Sequence, residues 1–174
     1  MIDSKVHASP TLHRERILAE VNTSIDLLGI DKANTYYLHE FDRQTPLEEQ
    51  CKAMNDAHRA GKFDNFGFSN LAPAEVKQMV HVCRRENWVV PSVYQGHYNA
   101  VAGGEEDELL PLLRKLELSY YAYSPAAGGL FSGTQTGDAA ARKQSGRWKQ
   151  DVRVVTAPSY GESWEYISTV LVRC

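Results

Sequence analysis

Cysteine is scarce in this chain, and the three present, Cys51, Cys83 and Cys174, form no CxxC pair. An odd, scattered set argues against a disulfide framework or a zinc site and fits the reduced thiols of an intracellular protein. Concentrated positive charge is missing too: 19 Lys and Arg stand against 22 Asp and Glu, a formal charge of −3, with no long basic stripe. No nucleic acid and no anionic membrane is therefore expected as a main partner, since binding to either rests on a dense positive field. No apolar run approaches the roughly 20 residues that span a bilayer. Met1-Ile2-Asp3-Ser4-Lys5 lacks the charged-then-apolar order of a signal peptide, so the expectation is a cytoplasmic protein. The acidic run Gly103–Glu108 has no ligand-spaced histidines beside it and reads as a solvated helix start, with no metal site.

What is present is a repeat. With 43% hydrophobic and 24% charged residues the chain has the composition of a folded domain. Short β-rich runs at Ile2–Val6, Thr35–His39, Phe63–Ser69, Ser92–Gln95 and Ser119–Ser124 alternate with longer amphipathic runs. Their spacing, roughly 25–35 residues, is that of one βα unit. The helical runs have their own signals. Ile17, Val21, Ile25 and Leu28 form one apolar stripe, and Thr45-Pro46-Leu47-Glu48 reads as an N-cap, a first-turn proline and a capping-box glutamate, with Gly61 as the stop. Pro73 and Glu75 open a third helix that turns Val76, Met79, Val80 and Cys83 inward. Glu105–Glu108 open a fourth that buries Leu109, Leu112, Leu113 and Leu116.

Strands and helices alternating in this way require a parallel sheet with right-handed crossovers, either an open doubly wound sheet or a (β/α) barrel. In both folds functional groups collect at the carboxyl ends of the strands. Here those ends read Lys5, His39, Ser69-Asn70, Gln95 and Tyr123-Ser124. Five polar endings in succession point to a ring of donors and acceptors on one rim.

These residues also carry a family resemblance. Ile2-Asp3-Ser4-Lys5-Val6, Tyr36-Tyr37-Leu38-His39 with Asp42 and Thr45-Pro46-Leu47-Glu48-Glu49, Gly61-Lys62-Phe63 with Phe66-Gly67-Phe68-Ser69-Asn70, Pro91–Gly96 with Tyr98-Asn99-Ala100, and Tyr121–Pro125 with Gly128-Gly129 resemble the aldo-keto reductases, most closely their aflatoxin-aldehyde reductase branch. The resemblance covers residues 2–134 and implies an eight-stranded (β/α) TIM-type barrel, here about five βα units, followed by a divergent tail at 135–174. It implies NADPH as cofactor and reduction of a small-molecule aldehyde or ketone. By position, Lys5 resembles the lysine that lowers the pKa of the catalytic tyrosine, and His39 the histidine that orients the substrate carbonyl. Ser69, Asn70 and Gln95 resemble the group that binds the nicotinamide carboxamide, and Tyr123 the ring that stacks on the nicotinamide. Ser124 and the loop through Ala126, Gly128, Gly129 and Leu130 fall where the pyrophosphate is received, and Arg147 matches a cofactor or substrate arginine.

The family's catalytic aspartate and tyrosine belong to a unit that would precede Met1, and Val101, Ala102 and Gly103 stand where a family arginine is expected. Tyr36, Tyr94, Tyr98 and Tyr160 are the candidates for a replacement acid. Two β-like runs, Val152–Thr156 and Tyr166–Val172, are candidates to complete the sheet. A complete barrel takes about 250 residues, so open edges suggest a homo-oligomer as an alternative way to cover them. Two other functions fit the same residues: a non-redox enzyme using Lys5 and His39 for dehydratase- or isomerase-type proton transfer, and a catalytically inactive binding or regulatory protein.

Overall fold

The computed structural model describes residues 1–6, 11–127 and 131. They divide into two compact units, one of Met1–Gly96 and Gly104–Tyr123, the other including His97–Gly103 and the described residues that follow Tyr123. The order of elements is β1 (Asp3–Val6), α1 (Arg14–Leu28), β2 (Ala33–Leu38), α2 (Leu47–Arg59), β3 (Phe63–Ser69), α3 (Pro73–Arg85), β4 (Val93–His97), α4 (Leu109–Leu116) and β5 (Ser119–Tyr123).

Each strand pairs with its neighbour in sequence, giving the order β1-β2-β3-β4-β5. Register runs Lys5↔Tyr37, Tyr37↔Gly67 and Gly67↔Val93, all parallel. The Ser119 amide donates to the Ser92 carbonyl at 2.9 Å and brings in β5. A doubly wound sheet reverses its order at a switch point. Strictly sequential order instead makes this part of a (β/α)8 barrel.

The helices pack on one face of that sheet because their apolar stripes recur at 3.6-residue spacing. Ile17, Val21 and Ile25 of α1, Cys51 and Met54 of α2, and Val76, Met79 and Cys83 of α3 join Tyr36, Phe66, Phe68 and Tyr94 in one core. Each such side chain contributes roughly 1.5–3 kcal/mol on burial. The Cys51 thiol hydrogen-bonds Cys83, and that bond, with burial, pushes its pKa up. Both cysteines are buried and serve as packing groups.

Three local expectations are corrected. Leu28 is 44% exposed, because α1 ends there at Gly29 in a left-handed cap (φ 63°) and its core-facing stripe stops at Ile25. Thr45 does not cap α2: Pro46 takes the cap position, and the Thr45 hydroxyl donates instead to Asp42 Oδ2 at 2.5 Å. Helix α4 begins at Leu109, after the acidic run, and buries Leu109 and Leu113 while Leu112 and Leu116 are half-buried. The start expected for α3 at Pro73 and Glu75 is found, with Glu75 Oε2 accepting the Ala72 amide at 2.8 Å.

Candidate active site

Side chains alternate across a strand, and this assigns the two faces of the sheet. The Tyr36 hydroxyl donates to Ser24 Oγ of α1 at 2.8 Å, and Phe68 meets Tyr94 edge-on with centroids 5.3 Å apart. These residues face the helices. Lys5, Tyr37, Gly67 and Val93, side by side in register, face the other way. Gly67 is glycine for a steric reason, since a Cβ there would collide with the Tyr37 ring. Burial, with the charge of Asp3, pushes the Tyr37 hydroxyl up to about 12, so it stays protonated.

At the carboxyl ends on that face, Lys5 Nζ donates to Gln95 Oε1 at 3.0 Å. In a flat sheet β1 and β4 would stand about 14 Å apart, so the contact requires the sheet to curl like a barrel wall. The Ser69 hydroxyl, buried at 2% exposure, donates to the Gln95 carbonyl at 2.6 Å. Asn70 follows in the left-handed region (φ 58°), which asparagine tolerates better than most residues. That turn brings its Nδ2 to the His39 carbonyl at 2.9 Å, while its Oδ1 accepts the Tyr123 hydroxyl at 3.3 Å. The expected rim is thus assembled as two hydrogen-bonded groups, Lys5–Gln95–Ser69 and His39–Asn70–Tyr123.

A buried polar network fixes the loop after His39. Asp42 accepts from the Leu12 amide at 2.8 Å, the Gln44 amide at 2.8 Å and the Thr45 hydroxyl. Burial alone would raise its pKa; the hydrogen bonds together outweigh burial and hold the carboxyl below its ordinary value. Gln50, fully buried, accepts the Asp42 amide through Oε1 and donates through Nε2 to the Asp42 and Thr45 carbonyls at 2.8 and 2.9 Å. On the helix side of β5, the Tyr120 hydroxyl donates to Glu105 in space that a Cβ at Gly96 would fill.

Of the tyrosines considered as replacement acids, Tyr36 is turned to α1, and the Tyr94 hydroxyl donates to the Leu71 carbonyl at 3.1 Å. Burial raises the pKa of both. Neither belongs to the rim. Tyr98 lies in the second unit, where Asn99 Nδ2 donates to the Ser124 carbonyl at 3.1 Å and the Ala127 amide donates to the same carbonyl at 2.9 Å. Ser124 (φ 57°) and Ala127 (φ 47°) are both left-handed, and Ala126 sits in the turn between them. Gly128, Gly129, Leu130, Arg147, Tyr160 and the two tail runs lie outside the described residues.

Tyr37, Gly67, Asp42 and Gln50 were not singled out from sequence. Strand parity with Lys5 and His39 pointed to Tyr37, and a glycine inside a strand pointed to close approach at Gly67. Asp42 stood in the quoted motif without a role, and Gln50 gave no comparable signal.

A barrel wall with polar groups gathered at the carboxyl ends of its strands is the form of a barrel enzyme's active-site rim. The family model for the aldo/keto reductase family matches residues 1–171, and the chain belongs to that family. The match runs past residue 134, where the resemblance read from the sequence ends, into the tail expected to diverge. Among similar proteins are the oxidoreductase sirO of Leptosphaeria maculans, 41% identical over 78% of this chain and 40% of that protein, and aflatoxin B1 aldehyde reductase member 2 of Mus musculus, 42% identical over 71% of this chain and 34% of the relative. Human aldo-keto reductase family 7 member A3 is 39% identical over 71% of this chain and 37% of its own length. The chain therefore spans 40% or less of these relatives. Among the described residues no helix is long and apolar enough to cross a membrane.

Proposed function

We propose that this chain forms the nicotinamide-facing rim of a cytoplasmic carbonyl reductase that acts on small-molecule aldehydes or ketones with NADPH. The observation that carries the reading is the junction of Lys5, His39, Ser69, Asn70, Gln95 and Tyr123 by hydrogen bonds on one strand-end rim. These groups fit the cofactor: the site offers carboxamide side chains for a carboxamide, an aromatic ring for the pyridine face, and an ammonium where charge develops. When bound, NADPH supplies the hydride that reaches the carbonyl carbon. Asn70, through the second N–H and lone pair its His39 and Tyr123 bonds leave, and Gln95, fixed by Ser69 through its main chain, would hold the carboxamide, and Tyr123 would offer its ring to the pyridine face.

Reduction builds negative charge on the carbonyl oxygen, so the donors there set the rate. Lys5 and His39 meet that oxygen, the ammonium offering N–H donors beyond the one given to Gln95. Loss of one such donor costs about 10²–10³ in turnover. The test is NADPH oxidation with an aromatic aldehyde by wild type and His39→Ala. Turnover in wild type that falls about 10²-fold in the variant supports the reading. Equal rates remove His39 from the mechanism, and no NADPH-dependent turnover in wild type overturns the proposal.

A further inference from the structure

We infer that Cys51 and Cys83 are a modification site, a thiol pair placed to close into a disulfide between α2 and α3 when hydrogen peroxide reaches it. The inference is independent of the cofactor reading, since both residues stand on the helix side of the sheet.

The seam between the two helices builds the pair. Cys51 on α2 and Cys83 on α3 are both fully buried, and the Cys51 thiol shares a hydrogen bond with Cys83. Polar ties fix the register of the helices around that contact. Arg85 at the end of α3 lies 3.8 Å from Glu48 of α2, and the Val89 amide, in the segment after α3, donates to Asn55 Oδ1 of α2 at 3.0 Å. A disulfide spans Cα atoms roughly 4.4–6.8 Å apart, a range that facing residues of packed helices reach. Closing the bond therefore asks the sulfurs to approach and the helices to move little.

The step is a two-electron oxidation. One cysteine, as thiolate, attacks a peroxide oxygen; the O–O bond breaks, the departing hydroxide takes up the proton that thiol released, and the sulfur becomes a sulfenic acid. The second thiol attacks that sulfur, the S–O bond breaks, and the hydroxide leaves as water with the second thiol's proton. Two thiols are oxidised to one disulfide, and one peroxide is reduced to two waters. The hydrogen bond and burial keep the Cys51 thiol protonated at rest, so the reaction waits on local opening of the seam. Once a sulfenic acid forms, the touching thiol is the nucleophile beside it in a core of apolar side chains, which favours the disulfide over further oxidation. The closed loop contains the whole of β3, and closing it removes entropy from the unfolded chain.

The test uses the full chain with Cys174→Ser, which leaves this pair as the sole thiols. It is treated with hydrogen peroxide in urea below the unfolding transition, where local opening is frequent, then unfolded, alkylated and digested without reductant for mass spectrometry. The expected result is joint loss of both alkylatable thiols, with a Cys51–Cys83 linked peptide pair lighter by two hydrogens that dithiothreitol separates. The oxidised chain should also unfold at a higher urea midpoint than the reduced chain. Cys51→Ala or Cys83→Ala in the same background should show no such rise after peroxide, which separates the disulfide from methionine oxidation. Both thiols still alkylated after peroxide, sulfinic acid at either cysteine in place of the link, a link formed only between chains, or a midpoint that falls or stays on oxidation would each overturn the inference.

Discussion

Asp42 shows how much a single side chain can hold in place. Its carboxylate gathers the Leu12 amide, the Gln44 amide and the Thr45 hydroxyl out of solvent, so Asp42→Ala leaves buried donors without partners. The expected loss is about 3 kcal/mol, read from urea unfolding. The pH dependence has a definite sign. Because the folded pKa is depressed, the group contributes stability that is complete above its unfolded pKa of about 3.9 and is lost as pH falls through the lower folded value. Asp42→Asn should flatten that acid limb. Gly67 gives a steric counterpart: Gly67→Ala drives a methyl group into the Tyr37 ring and should destabilise by roughly 1–3 kcal/mol. Adding Tyr37→Leu should recover part of that loss in a double-mutant cycle. Lys5 and His39 were legible in the sequence because each ends an apolar run. Asp42's role was not, since one of its partners, Leu12, lies 30 positions away.

Among the elements, α1 separates packing from pattern. Ile17 is fully buried and Leu28 is 44% exposed, although both fit one helical stripe. Ile17→Ala should cost about 2–5 kcal/mol, whereas Leu28→Ala should stay within about 0.5 kcal/mol, both measured as unfolding free energies. Periodicity located the four helices of the described residues because it reports which residues share a face. It missed where the neighbouring surface ends, which is a property of tertiary contact. The start of α2 differs for a related reason: Thr45 has the chemistry of a cap, but it stands one position before the cap residue Pro46, and its hydroxyl is oriented by the buried Asp42 carboxylate, a tertiary partner. Strand β3 was read from Phe63 to Ser69 because it is rich in aromatic residues and bounded by turn signals.

For the molecule as a whole, the sequential parallel order explains why residues far apart in sequence share one rim. Lys5 and Gln95 are 90 positions apart, and only a curled sheet brings them together. The βα spacing foretold that rim, but it could not foretell that Lys5 would reach across the concave face to Gln95. Among the described residues β1 and β5 each pair on one side only. Unpaired parallel edges associate unless covered, and we propose that copies of the chain meet through them: light scattering should then show mass rising with protein concentration, and Tyr121→Lys on the exposed β5 should reduce the rise, whereas a constant mass would contradict it. The central claim is that this rim receives the nicotinamide end of the cofactor. Saturation-transfer NMR with NADP⁺ reads it most directly, because nicotinamide and adenine protons are resolved separately. Saturation of the nicotinamide protons in wild type, lost in Asn70→Ala, is the predicted result; saturation confined to adenine, or nicotinamide saturation unchanged in the variant, would contradict it.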